Sequence, residues 1–179
     1  MKKITFIGNG NMALSIAQGL KDTYQIEVIG RDLKKLELFE EKLGVTIDKT
    51  LLKEANLADK TILLCVKPNN VKEVSKQCQG NPYLLISVLA GTTLETLKNC
   101  FTPTLTIRSM PNLCASVNAS MTTLTGDTEA KEEALSLLNS IGTTLWLQNE
   151  KEINIATALA GSGPAYLALI AEALTDGAV

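Results

Sequence analysis

Gly8, Gly10 and Ala13 stand at G-x-G-x-x-A spacing in the stretch FIGNGNMA. An apolar run at residues 4–7 precedes them, and an amphipathic helical pattern at 11–21 follows. Glycine at position 8 permits a tight turn, and glycine at position 10 leaves no Cβ between the backbone and an approaching ligand. The small Ala13 lets helix and strand pack closely. The first free N–H groups of the helix and its positive dipole end then face an anion. The same spacing also occurs in plain strand-to-helix turns. The strand before it and the helix after it favour a cradle for a dinucleotide pyrophosphate.

The next apolar run ends in VIGRD, about 20 residues past the glycines, where an acidic residue binds the ribose of NAD. Here Gly30 occupies the strand tip and Arg31 follows it. A guanidinium suits a 2′-phosphate, so NADP is favoured, with NADPH preferred over NADH. Asp32 is expected to cap the next helix instead. The alternative for Arg31 is a solvated surface charge.

The chain contains no histidine. That removes Ser-His and Cys-His catalysis, His-ligated metals and the His-carboxylate proton relay. Its four cysteines, Cys65, Cys78, Cys100 and Cys114, include no C-x-x-C pair. They read as free thiols rather than as metal ligands.

Strand patterns at 4–7, 26–29, 61–66, 84–88, 105–107, 121–124 and 144–147 alternate with helical patterns at 11–21, 33–43, 71–78, 94–100 and 129–141. Continuously apolar strands separated by helices mean βαβ units and a sheet buried on both faces. The expected fold is a doubly wound α/β domain. From residue 151 no strand pattern remains. KEINIATALA reads as one helix, GSGP interrupts it, and a second helix opens at Pro164 with Ser162 or Gly163 as cap. The second helix is apolar around most of its circumference and must be covered on several sides, by partner chains or by further sequence.

Four more stretches mark strand or helix ends: LLCVKPNN, SVLAGTTLETL, IRSMPNL and AGSGPAYL. Taken singly, each is compatible with ordinary turn chemistry. In this order, following G-x-G-N-M-A, the set V-K-P, S-x-x-A-G, R-x-M-P-N and G-S-G-P-A-Y resembles pyrroline-5-carboxylate reductases over essentially the whole chain. The resemblance implies a Rossmann-type, mostly parallel sheet in residues 1–150 and the beginning of a truncated all-α dimerisation domain in 151–179. It implies NAD(P)H-dependent reduction of a cyclic imine to L-proline, with no histidine needed, and a homodimer or larger homo-oligomer joined through the C-terminal helices.

It further implies that Ile7, Gly8, Asn9, Gly10, Asn11 and Met12 hold the pyrophosphate. Cys65, Val66, Lys67 and Pro68 lie beside the ribose and nicotinamide, and Ala90, Gly91, Met110, Pro111 and Asn112 line the cleft. Asn9, Cys65 and Leu113 depart from the residues common in the family. The resemblance places the family's substrate-anchoring stretch past residue 179, so no catalytic residue is assigned and poor or absent turnover is expected of these 179 residues alone. Two other readings stay open: another NADP-dependent reductase of hydroxyacid-dehydrogenase-like architecture, and a non-catalytic dinucleotide-binding module.

A net charge of −2 leaves no basic surface for a nucleic acid. There is no uninterrupted apolar run of membrane-spanning length and no signal-peptide pattern, so a cytoplasmic protein without membrane contact is expected.

Overall fold

The computed structural model describes residues 2–178. Its strands are β1 (Lys2–Ile7), β2 (Tyr24–Gly30), β3 (Asp48–Leu51), β4 (Thr61–Leu64), β5 (Leu84–Ser87), β6 (Leu105–Met110), β7 (Ser120–Gly126) and β8 (Gly142–Trp146). They form one sheet in the order β3-β2-β1-β4-β5-β6-β7-β8. Neighbours from β3 to β6 are parallel. β7 runs antiparallel to β6, and β8 is parallel to β7. The sheet is thus mostly parallel, as expected.

Alternate strand residues feed two cores. Ile4, Phe6, Leu63 and Ile86 pack on one face with Ile16 and Leu20 of α1 (Asn11–Leu20), Leu36 and Phe39 of α2 (Leu33–Leu43) and Leu138 of α5 (Lys131–Leu138). Ile7, Ile29, Ile62 and Leu64 pack on the other face with Val71 and Val74 of α3 (Val71–Gln77) and Leu97 and Phe101 of α4 (Leu94–Phe101). Burial on both sides is why these strands are apolar at consecutive positions.

β3 has no counterpart among the expected strands. It is short and polar, DKTL, and lies at the sheet edge beside β2, with no apolar run to announce it. Its Thr50 helps to hold a buried carboxylate. Glu27 accepts hydrogen bonds from Thr5 (2.8 Å), Thr50 (3.0 Å) and Lys60 (2.7 Å).

α6 (Glu150–Ala156) continues through one π-helical turn, Thr157–Gly161, into α7 (Gly163–Gly177). GSGP therefore distorts a helical run rather than breaking it into a loop. The expected cap is also corrected: the Ser162 side chain does not cap α7, and its hydroxyl faces the Thr157 carbonyl. α6 packs against β6 and β7. On α7, Tyr166, Leu167, Leu169, Ile170 and Leu174 are each more than half exposed.

Candidate functional site

The carboxyl ends of β1, β2 and β4 surround an open cleft of about 190 Å³. Ile7, Gly8, Asn9, Gly10, Arg31, Cys65, Val66 and Lys67 line it, all of them expected from the sequence. Gly8 closes the turn. It donates from its N–H to the Ile29 carbonyl (2.9 Å) at φ +108°, and a Cβ there would lie 2.7 Å from the Cys65 carbonyl oxygen. No residue but glycine fits both the torsion and the space.

Gly10 differs. A Cβ there would meet nothing within 4 Å. Gly10 lines the cleft and is the N-cap of α1, and no side chain caps the first N–H groups of that helix. Open space over a bare helix N-terminus suits a pyrophosphate. Ala13 is fully buried, as close packing of helix and strand requires.

Arg31 stands at the mouth of the cleft, 60% exposed, with its guanidinium 4.0 Å from the Glu73 carboxylate. Asp32 does cap α2: its Oδ1 accepts from the Lys34 N–H at 3.0 Å. That carboxylate is thereby engaged at the start of α2, while the side chains of Arg31 and Lys67 bring two positive charges to the cleft. Gly30 is small for a packing reason, because a Cβ there would come within 2.8 Å of Leu36. Burial pushes the Cys65 thiol up to about 12, so it stays protonated and is no nucleophile at neutral pH.

The remaining expected residues lie outside the lining of this cleft. Asn11 borders an adjacent depression with Asn9, Gly10 and Lys35, and Met12 sits in the first turn of α1. Pro68 opens a short 3-10 turn, Pro68–Asn70. Ala90 and Gly91 are exposed in the turn after β5, and Met110, Pro111 and Asn112 are buried in the turn after β6. The parallel order of β1, β4, β5 and β6 puts all these turns along one edge of the sheet, where open α/β sheets bind ligands. Beyond Gly30 at the tip of β2, four further lining residues lie outside the expected set, Leu52, Asn70, Val74 and Ile29. Leu52 follows the unannounced β3. The other three are ordinary helix and strand residues that only the fold turns towards the cleft.

Two polar ties bind this edge to the C-terminal helices. The buried Arg108 donates from Nη1 to Glu150 Oε1 at 2.7 Å, and the same oxygen accepts the Leu94 N–H at 2.7 Å. Glu150 thus joins the first turn of α6 to the start of α4, just past Ala90 and Gly91. Further along, Asn112 Nδ2 donates to the Ala160 carbonyl at 2.9 Å. The sequence motifs drew attention to these turns but carried no signal of their partners.

By length and composition alone, the helical run Glu150–Gly177 is apolar enough to cross a bilayer, although polar residues interrupt its apolar sequence. A different account comes from comparison with known proteins. Residues 150–179 match the model for "Pyrroline-5-carboxylate reductase dimerisation", a description that fits an apolar helical surface. Residues 3–91 match "NADP oxidoreductase coenzyme F420-dependent".

The pyrroline-5-carboxylate reductase of Helicobacter pylori strain J99 is 30% identical over 187 residues, 100% of this chain and 72% of the relative. That of Haemophilus influenzae is 34% identical over 97% of this chain and 68% of its own length. Among solved structures, a pyrroline-5-carboxylate reductase from Coxiella burnetii superposes with a TM-score of 0.83 at 36% identity, covering 99% of this chain and 70% of that one. The reductase of Plasmodium falciparum, solved with NADP bound, shares the fold at a TM-score of 0.77, 24% identity, and covers 99% and 69%. The glycine turn, the edge turns and the two terminal helices are thus found together in proteins of one kind, and this chain belongs to the pyrroline-5-carboxylate reductase family.

Proposed function

We propose that the chain catalyses NADPH-dependent reduction of 1-pyrroline-5-carboxylate to L-proline. The observation that carries this reading is that the likeness to reductases of this name runs the whole length of the chain, from the glycine cradle to the terminal helices.

The cradle fits a dinucleotide: bare N–H groups of α1 and the space beside Gly10 take the pyrophosphate, and Arg31 takes the 2′-phosphate. Cys65 to Pro68, Ala90, Gly91 and the turn at 110–112 form the wall towards the nicotinamide and substrate. When bound, the reduced nicotinamide supplies the hydride. The protonated imine is neutralised as it is reduced: a C–H bond forms at the former C=N carbon, and the π pair passes to nitrogen, which keeps its proton. No alkoxide builds up, so no acid has to be positioned against one, and the absence of histidine is no obstacle. What the residues supply is orientation and exclusion of water.

The same reading divides the chain at residue 150 into a cofactor-binding domain and a helical association segment, through which copies of the chain pair in the cytoplasm. Loss of reduced-nicotinamide absorbance on addition of 1-pyrroline-5-carboxylate, with proline counted by amino-acid analysis, tests it. Proline formed one-for-one with NADPH oxidised is the expected result, most strongly in a chain extended at its C-terminus. Binding of NADPH without proline, both in this chain and in one extended with the C-terminal remainder of the Haemophilus influenzae relative, refutes it in favour of a non-catalytic module.

A further inference from the structure

Pro164 sits four residues past Ala160, where an α-helix needs a backbone N–H to satisfy the Ala160 carbonyl, and proline has none. The following amide, Ala165, donates to the Ser162 carbonyl at 3.0 Å instead. The helix answers with a π turn, in which the Ser162 N–H reaches back to Thr157 O at 3.1 Å. The partner of the Ala160 carbonyl is the buried Asn112, whose Nδ2 donates to it at 2.9 Å.

Every other hydrogen-bonding group of Asn112 is also committed to backbone or to one strand. Oδ1 accepts the Cys114 N–H (3.1 Å), the backbone N–H donates to Ser120 Oγ (3.1 Å), and the carbonyl accepts the Ala115 N–H (3.1 Å). Both polar atoms of this side chain are thus engaged within the fold, with one N–H of Nδ2 and one lone pair of Oδ1 left over. Beside it, Met110 lies near the same helical break: a Cβ added at Gly161 would be 3.7 Å from Met110 Cγ.

We propose that Asn112 and Pro164 are a matched pair. Proline orphans one carbonyl, the Asn112 carboxamide takes it, and the bond clamps the start of α7 to the turn at 110–112. Asn112 is then a positioning residue. It holds the Met110–Pro111 turn, on the same edge of the sheet as the cleft, in register with the terminal helices. That role rests on the reading of this edge as the cofactor cleft; the carbonyl pairing itself does not.

A double-mutant cycle on folding stability tests the pair, with N112D, P164A and the double variant. N112D keeps the Oδ1 acceptor and removes only the amide donor. With Pro164 present it should lower the folding constant about tenfold, as expected for a polar group left facing an unpaired carbonyl. In the P164A background residue 164 has its own N–H, and the N112D loss should shrink to about threefold or less. A second signature is pH. As the introduced carboxyl is protonated in acid it regains a donor, so the N112D loss relative to the parent should diminish. An equal loss in both backgrounds overturns the proposal, as does a loss that is unchanged in acid. Should N112D alone not fold, rescue by P164A supports the pairing, and failure of the double variant to fold overturns it. The positioning role is read separately: N112D should lower kcat for the imine while leaving the NADPH Kd within about threefold. A tenfold weaker NADPH Kd would overturn it by placing Asn112 on the cofactor. A positive cycle with no imine turnover in either the parent or the extended chain would sink the proposed function and leave the pair standing.

Discussion

Replacing Glu150 by alanine should cost far more than its place on a surface helix suggests. Glu150 Oε1 takes two hydrogen bonds of 2.7 Å, one from Arg108 Nη1 and one from the Leu94 N–H. The Arg108 side chain is only 3% exposed, and its Nη2 already lacks a partner. Removing the carboxylate therefore leaves a buried guanidinium unpaired. A fully buried pair broken in this way costs about 3–5 kcal/mol. The Glu150 side chain is 31% exposed, so water reaches the gap and about 2–3 kcal/mol is the fitting share. The orphaned Leu94 N–H adds about 1 kcal/mol, giving roughly 3–4 kcal/mol for E150A.

E150Q keeps the acceptor and loses the charge. Charge-assisted bonds are about twice as strong as neutral ones, so this variant should cost about 1–2 kcal/mol. In an R108M background no buried charge remains, and E150A should then cost about 1 kcal/mol, the Leu94 bond alone. Equilibrium urea unfolding with a constant m-value measures all three. An E150A cost within about 0.5 kcal/mol of zero, the range of ordinary surface changes, refutes the reasoning. So does an equal cost with and without Arg108.

R31A should weaken NADPH by about tenfold, the loss of one charge-assisted phosphate contact, and leave NADH nearly unchanged; E73Q should tighten NADPH slightly. Thermal protection by the two cofactors reads both, and equal losses for both cofactors would remove Arg31 from the 2′-phosphate. Glycine replacements should separate folding from binding. G8A should destabilise strongly, because its Cβ meets the Cys65 carbonyl at φ +108°. G10A has open space at φ −82° and should fold normally but bind NADPH poorly; unchanged NADPH binding by folded G10A would argue against the cradle.

Acid should unfold the chain partly through Glu27. Burial alone would raise its pKa, but the hydrogen bonds from Lys60, Thr5 and Thr50 and the Lys60 charge outweigh that and hold it below the usual carboxylate value. A lowered folded pKa gives stability that is fully present above the unfolded value, about 4.3, and is lost as pH falls through the folded one. E27Q should therefore flatten stability against pH below about 4.5. A profile as steep as the parent's would show that other carboxylates govern it.

The amino-acid sequence by itself determined the period of the fold and the location of the cradle. Strands such as TILL and LLIS are apolar at consecutive residues because both faces are covered, and that pattern is local. Gly8 and Gly10 are legible for the same reason: a torsion and a missing Cβ are properties of a single residue in its turn. The C-terminal helical run was legible as apolar, yet its continuity through GSGP was not, because a π turn depends on which carbonyl finds an outside partner.

Tertiary structure alone decided the rest. β3 is a strand because β2 offers its edge, not because DKTL demands it. Leu52 and Val74 reach the cleft only through chain crossings that no short motif encodes. Arg108 and Glu150 are 42 residues apart, and Asn112 and Ala160 are 48 apart. Such pairs carry no periodicity. A hydrogen bond is made by the atoms that packing brings within 3 Å, and only the folded sheet determines which those are.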